Sequence, residues 1–311
     1  MTSPLPVRRP RAAAFAVALL ALPSAGLLGV SAPARAAEPL AATYRLHIGG
    51  LAVLDIVATL EMGDQSYRME VKAQTEGFLN RLFPWQTVSR SDGAVRGGRL
   101  VPAHHSQSSV FREKPRSVTL EYDGQGNVAA TVLPTPQEDG REPVPDAERR
   151  ATYDPLSAFL TVLAASARGE ACTRSLPVFD GRRRYDMEFQ DVGPRLVGAS
   201  RYSIFSGTAR QCRVSYRPVA GYARTAPGNG FWQRNGAAAE RPPADLWLAP
   251  VVPGQPPLPV RLETDSDLGA VVIHLTGVTP PAGTPPTGTP PTGTPPAGSP
   301  SAGNPAAPRP R

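Results

Sequence analysis

Asp186 and Glu188 come nearest, by type and spacing, to residues that could do chemistry. They lie in LPVFDGRRRYDMEF, residues 176–189, where they alternate with Tyr185, Met187 and Phe189. On a strand, that alternation puts both carboxylates on one face. Paired carboxylates can divide acid and base roles, as in the hydrolysis of glycosidic bonds. The same stretch holds Arg182, Arg183 and Arg184, and of the last two only Arg184 shares the strand face of Asp186. Opposite charges paired across a wet strand face are ordinary structure. The arginines could also grip a phosphate or carboxylate head group, although a solvated turn is the default for such a run. Asp180-Gly181 suits the left-handed positions of a tight turn. The expectation is a hairpin, with glycan hydrolysis last among the functional readings.

Other catalytic patterns fail on context. Gly124-Gln125-Gly126 imitates a dinucleotide-binding loop, but that motif must leave a strand and open a helix. Here the chain runs into a second alternating segment. His104-His105 lacks a third ligand at helical or short-loop spacing, so no metal site is expected. No Gly-x-Ser-x-Gly elbow occurs, and no cofactor is implied. The residues expected to touch a ligand are aromatic: Phe78, Phe83 and Trp85 in GFLNRLFPW, and Phe231-Trp232 in GNGFWQRNG. The first of these segments is expected to be a buried core plug, and if exposed would act as a lid or membrane-touching element. The second either packs back on the body or lines a ligand mouth.

The framework that must hold these residues has a period of two. TYRLHI, LAVLDIVATLEM, SYRMEVKAQT, SVTLEYDGQGNVAATV, RYSIF, QCRVSYRP, DLWLAP, PVRLET and AVVIHLTG all alternate, and Gly49-Gly50 and Asp123-Gly124 mark turns. Turns every eight to twelve residues favour an antiparallel, partly closed β-barrel or a sandwich. One helix stands out. Asp154-Pro155 supplies an N-cap with proline at the first helical position. Leu156, Phe159, Leu160 and Leu163 then form an apolar stripe, and Gly169 ends the helix. That stripe is expected to cover a face of the sheet.

The ends read differently. Arg8, Arg9 and Arg11 precede an apolar stretch from Ala12 to Val30, and Ala34-Arg35-Ala36 offers a cleavage site. Residues 1–36 therefore read as a signal peptide and the chain as exported to the periplasm. No later stretch is apolar enough to span a membrane. From Thr279 to Arg311, TPPAG and TPPTG repeats cannot bury a core and are expected to be disordered. Residues 37–278 are left as the β-rich body. Both ends lack acids, so the body carries 27 bases against 26 acids. A net charge of +1 argues against nucleic acid as a partner. In an exported chain Cys172 and Cys212 read as a disulfide closing a loop of forty residues.

Several of these features resemble the exported proteobacterial domain-of-unknown-function 3108 family. They are Tyr44 with Gly49-Gly50-Leu51, the helix start Asp154-Pro155-Leu156-Ser157, VFDGRRRYD between Cys172 and Cys212, and Asp245-Leu246-Trp247-Leu248. The resemblance spans roughly residues 40–277 and implies no catalytic residue. The leading expectation is a non-catalytic protein binding an apolar ligand or lipid in envelope maintenance. The alternative is an assembly factor that binds an envelope protein.

Overall fold

The computed structural model describes residues 39–222 and 242–282. The expected leader, nearly all of the proline-rich tail, and Phe231-Trp232 lie outside them. Among the described residues thirteen strands form one antiparallel sheet. The first seven are β1 (Leu40–Ile48), β2 (Leu51–Met62), β3 (Ser66–Thr75), β4 (Trp85–Arg96), β5 (Arg99–Phe111), β6 (Lys114–Tyr122) and β7 (Val128–Leu133). The remaining six are β8 (Arg174–Phe179), β9 (Arg184–Val197), β10 (Gly207–Ala220), β11 (Ala244–Ala249), β12 (Leu258–Ser266) and β13 (Gly269–Thr279). Three helices intervene: α1 (Gly77–Leu82), α2 (Asp146–Arg149) and α3 (Pro155–Ala167).

The order β7-β6-β5-β4-β3-β2-β1-β13-β12-β11-β10-β9-β8 joins two hairpin meanders through β1 and β13. Every other neighbour in the sheet is also a neighbour in sequence. The β1–β13 pair must close across nearly the whole body, running from Ala41 opposite Thr279 to Ile48 opposite Val271.

The edges β7 and β8 do not pair, so the sheet curls without closing. A short segment bridges the gap. The Ala151 amide donates to the Gly126 carbonyl in the β6–β7 turn, at 2.8 Å. Tyr153 then runs parallel to β8, donating to the Pro177 carbonyl and accepting from the Phe179 amide. Backbone groups that an open edge would leave bare are satisfied this way.

Helix α3 lies within the curl and is buried on more sides than a covering stripe requires. Ala158, Leu160, Val162 and Ala165 are fully buried, with Leu163 nearly so. They pack with Leu60, Tyr67, Met69, Leu100, Phe189, Val214 and Leu246 into the largest core cluster. A helix that is apolar nearly all round belongs in a core. The disulfide between Cys172 and Cys212 is part of that cluster and ties the entry of β8 to β10.

Three expectations need correction. RYSIF is not a strand: residues 201–205 are turn and bend. There Tyr202 packs on His47 and His274, and the Ile204 amide donates to the Leu275 carbonyl. The GFLNRLFPW segment is not a core plug, since α1 buries no residue. Finally, β4 and β5 are long central strands in a region where no strand was expected.

Close backbone packing at the β8–β9 turn makes one residue stringent. Gly221 has φ +82°, and a Cβ there would overlap the Arg182 carbonyl oxygen and the Val144 side chain. Gly221→Ala should cost about 2–4 kcal/mol, combining a left-handed backbone with overpacking. Urea unfolding measures it, and an unchanged midpoint would show that the chain relaxes there freely.

Candidate functional site

The interior is not completely filled. A cleft of about 190 Å³ lies between α3 and the strands β1, β2, β3, β11, β12 and β13. Strand alternation builds most of its wall: Leu40, Ala42 and Tyr44 on β1, and Ile56, Ala58 and Leu60 on β2. Leu156, Phe159 and Leu163 on α3, at i, i+3 and i+7, form the facing wall. Ala42 and Ala58 are direct cross-strand partners, and these two small side chains leave room where larger ones would meet the helix. The lining is hydrocarbon apart from two groups.

The first is Tyr44, which is buried and lines the cleft. Burial pushes its phenol well above the usual value, so it remains a protonated donor. The second is Arg261, held by Glu263 at 2.6 Å and lying over the Trp247 ring. Such a cleft takes hydrocarbon from water and offers one hydroxyl to orient a polar end.

A second constellation was not anticipated as a unit. Asp154 caps α3 through one oxygen, Oδ1, which accepts from the Leu156 and Ser157 amides at 3.0 Å each. The same oxygen accepts from the Ser91 hydroxyl at 2.6 Å, and Ser91 lies 2.8 Å from His105 Nδ1. Because the carboxylate can only accept, the single Ser91 proton goes to it, and His105 Nδ1–H donates to Ser91. Nearby, Tyr67 bonds Ser157 at 2.7 Å. Asp154 Oδ2 and the Tyr122 hydroxyl are buried without partners.

Serine, histidine and aspartate together suggest a triad, but the geometry differs. A triad places Ser and Asp on opposite ring nitrogens, whereas here both meet Nδ1. Ser91 is also completely buried, so no substrate carbonyl reaches it. The cluster pins the start of α3 to β4 and β5. The N-cap was legible in the sequence; the Ser91 and His105 partners, 63 and 49 residues away, were not.

The carboxylates at 186 and 188 are occupied. Asp186 bonds Arg184 at 2.7 Å and also Arg217, while Glu188 bonds Arg217 at 3.1 Å. Arg182 turns away from them and works as a latch. It donates to the Leu133 and Pro134 carbonyls at the end of β7, at 2.7 and 2.8 Å, and pairs with Asp139. Arg183 pairs with Asp180, whose carboxylate also accepts the amides of residues 182 and 183. Arg182 thus locks the β8–β9 turn onto the opposite edge of the sheet, while Arg183 and Arg184 are paired within their own turn and strand. His104 faces away from His105 toward Asp92 and Glu121, and no metal-holding group of three or more ligands exists among the described residues.

Phe78, Phe83 and Trp85 are brought together at the β3–β4 connection, but none lines the cleft. Phe78 is 70% exposed and Phe83 46%. Phe231-Trp232 fall outside the described residues. No helix among the described residues is long and apolar enough to cross a membrane.

A family model described as "Protein of unknown function (DUF3108)" matches residues 43–276. No curated protein matches the chain. A crystal structure from Brucella abortus, described as a β-barrel-like protein of domain of unknown function DUF1849, is similar with a TM-score of 0.44 and 9% identity. The match covers 78% of this chain and 98% of that one.

Proposed function

Because the chain belongs to the DUF3108 family of proteins of unknown function, its role has to be read from its site, and we propose that it is an exported, non-catalytic β-protein. In this reading it binds an apolar small molecule or lipid in the periplasm and serves envelope maintenance. The observation that carries this is the hydrocarbon-lined cleft between α3 and β1–β3. A cleft of about 190 Å³ walled by hydrocarbon favours an apolar occupant over water. Smaller apolar cavities, of about 150 Å³, stay dry and take up benzene. Drug-sized ligands use about 300–1,000 Å³, so the cleft suits a short hydrocarbon or one part of an acyl chain. The arginine pairing of Asp186 and Glu188 weighs against glycan hydrolysis. Exposed apolar side chains on α1 favour the second reading, docking to an envelope partner.

Native mass spectrometry of the protein isolated from its producing cell, followed by solvent extraction, tests the cleft. The wild type should carry an apolar molecule in stoichiometric amount. Ala58→Phe, which fills the cleft from β2, should lose it while keeping its circular dichroism spectrum. An empty wild type, or a variant that keeps its cargo, would retire the reading.

A further inference from the structure

We propose that the connection between β9 and β10, residues 198–206, is a clasp across β1 and β13 that acid releases through His47 and His274. Strand β12 pairs with β13 only as far as Arg261 opposite His274. Beyond that point the connection takes over. The Ile204 amide and the Ser203 hydroxyl both donate to the Leu275 carbonyl, at 3.0 and 3.2 Å. Tyr202 lies on the two imidazoles. Its ring stacks on His274 at 5.7 Å and meets His47 edge-on at 5.0 Å, and the imidazoles are 5.6 Å apart. Arg45 stands opposite His274, with His47 two residues further along β1, so all three share one face of the sheet.

Both rings are nearly hidden, each 8% exposed. His47 Nδ1 is buried and makes no hydrogen bond among the described residues. A neutral imidazole tolerates that arrangement. A charged one donates from both nitrogens, and here it would lose its hydration as well.

The charges that face the pair do not welcome another cation. Arg45 stands on β1 and Arg261 on β12, and in the clasp Arg201 lies over the Tyr202 ring at 4.9 Å and bonds its hydroxyl. The nearby acids are already paired: Asp55 and Glu76 with Arg45, at 3.0 and 3.3 Å, and Glu263 with Arg261 at 2.6 Å. Both imidazoles are held below the usual histidine value. For His47 the causes are burial and then Arg45, against smaller pulls from Glu76 and the Arg45 carbonyl. For His274 they are burial, Arg261 and His47, against Glu263. The closed clasp therefore favours neutral rings, and a proton taken up by either ring favours the open form. The stability of the clasp is complete above the open-state value of about 6.5 and declines as pH falls through it.

The test is amide hydrogen exchange at Ile204, followed by NMR from about pH 7.5 to about pH 5 and corrected for the intrinsic rate. Protection should fall about tenfold or more over that range, while amides of α3 keep theirs. His47→Phe with His274→Phe should make the Ile204 protection independent of pH. His104→Gln, which alters a histidine of β5, should respond as the wild type does. The wild-type imidazole signals give a second reading that does not require the double variant to fold: His47 and His274 should titrate below about 6.5. Constant protection in the wild type, a loss shared with α3, or a loss that survives the double substitution would overturn the proposal. So would imidazoles that titrate at or above the usual value.

Discussion

Asp154→Ala is expected to lower stability by about 3–5 kcal/mol, the range for removing one partner of a buried charged network. The lost cap accounts for about 1 kcal/mol of this. The larger share comes from Ser91 and His105, both buried, which lose the acceptor that orders them. Asp154→Asn keeps an oxygen for the cap but gives up the charge, so it should cost less than alanine. A loss toward acid is also expected in the wild type. Burial by itself raises the Asp154 carboxyl. The hydrogen bond and charge of His105, with bonds from Ser157 and Ser91, nevertheless hold it below the usual carboxylate value. Its contribution is therefore complete above the unfolded-state value of about 3.9 and disappears as pH falls through the lower folded value. Urea titrations through the acid range, on wild type and Asp154→Asn, separate this group from the other carboxylates. Identical acid slopes for the two proteins would exclude it.

Removal of the Cys172–Cys212 bridge is the second large expected loss, at about 3–4 kcal/mol for a closed loop of this length. The two residues are 40 apart and both fully buried. The bridge spans β9, so it holds three strands to the core around α3. Cys172→Ala with Cys212→Ala should shift the urea midpoint downward without a new oligomer. Thiol labelling of the denatured, unreduced wild type should find neither sulfur. Two labelled thiols, or a double variant as stable as the wild type, would end this account.

The fold was readable wherever one face of an element is wet. On β1, β3 and β9, Tyr44 and Leu46, Tyr67 and Met69, and Tyr185, Met187 and Phe189 turn inward, and polar neighbours mark the other face. On β4 and β5 that signal fails. Ser91 and His105 occupy inward positions because they bond Asp154, so the buried face is itself polar and the alternation disappears. The short helix α1 misled for the opposite reason. Its apolar side chains look like core but face solvent, and composition does not distinguish a plug from an exposed tip.

The candidate site followed the same division. Aromatic residues near glycine and proline drew notice as ligand contacts, yet the cleft is built from Ala42, Ala58, Leu156 and Phe159, ordinary residues of strands and helix. An absence of packing is a property of facing surfaces, and no single segment encodes it.

Local chemistry in the chain was enough to determine the antiparallel β-architecture, the cap and course of α3, the hairpin at Asp180-Gly181 and the pairing of the two cysteines. These depend on residues a few positions apart, or on a count of two. Tertiary structure alone decided that α3 sits inside the curl, that Arg182 latches the two free edges of the sheet, and that the cleft exists. Each of these depends on which surfaces meet when β1 closes against β13, more than two hundred residues away along the chain, and contacts at that distance leave no periodicity in the sequence.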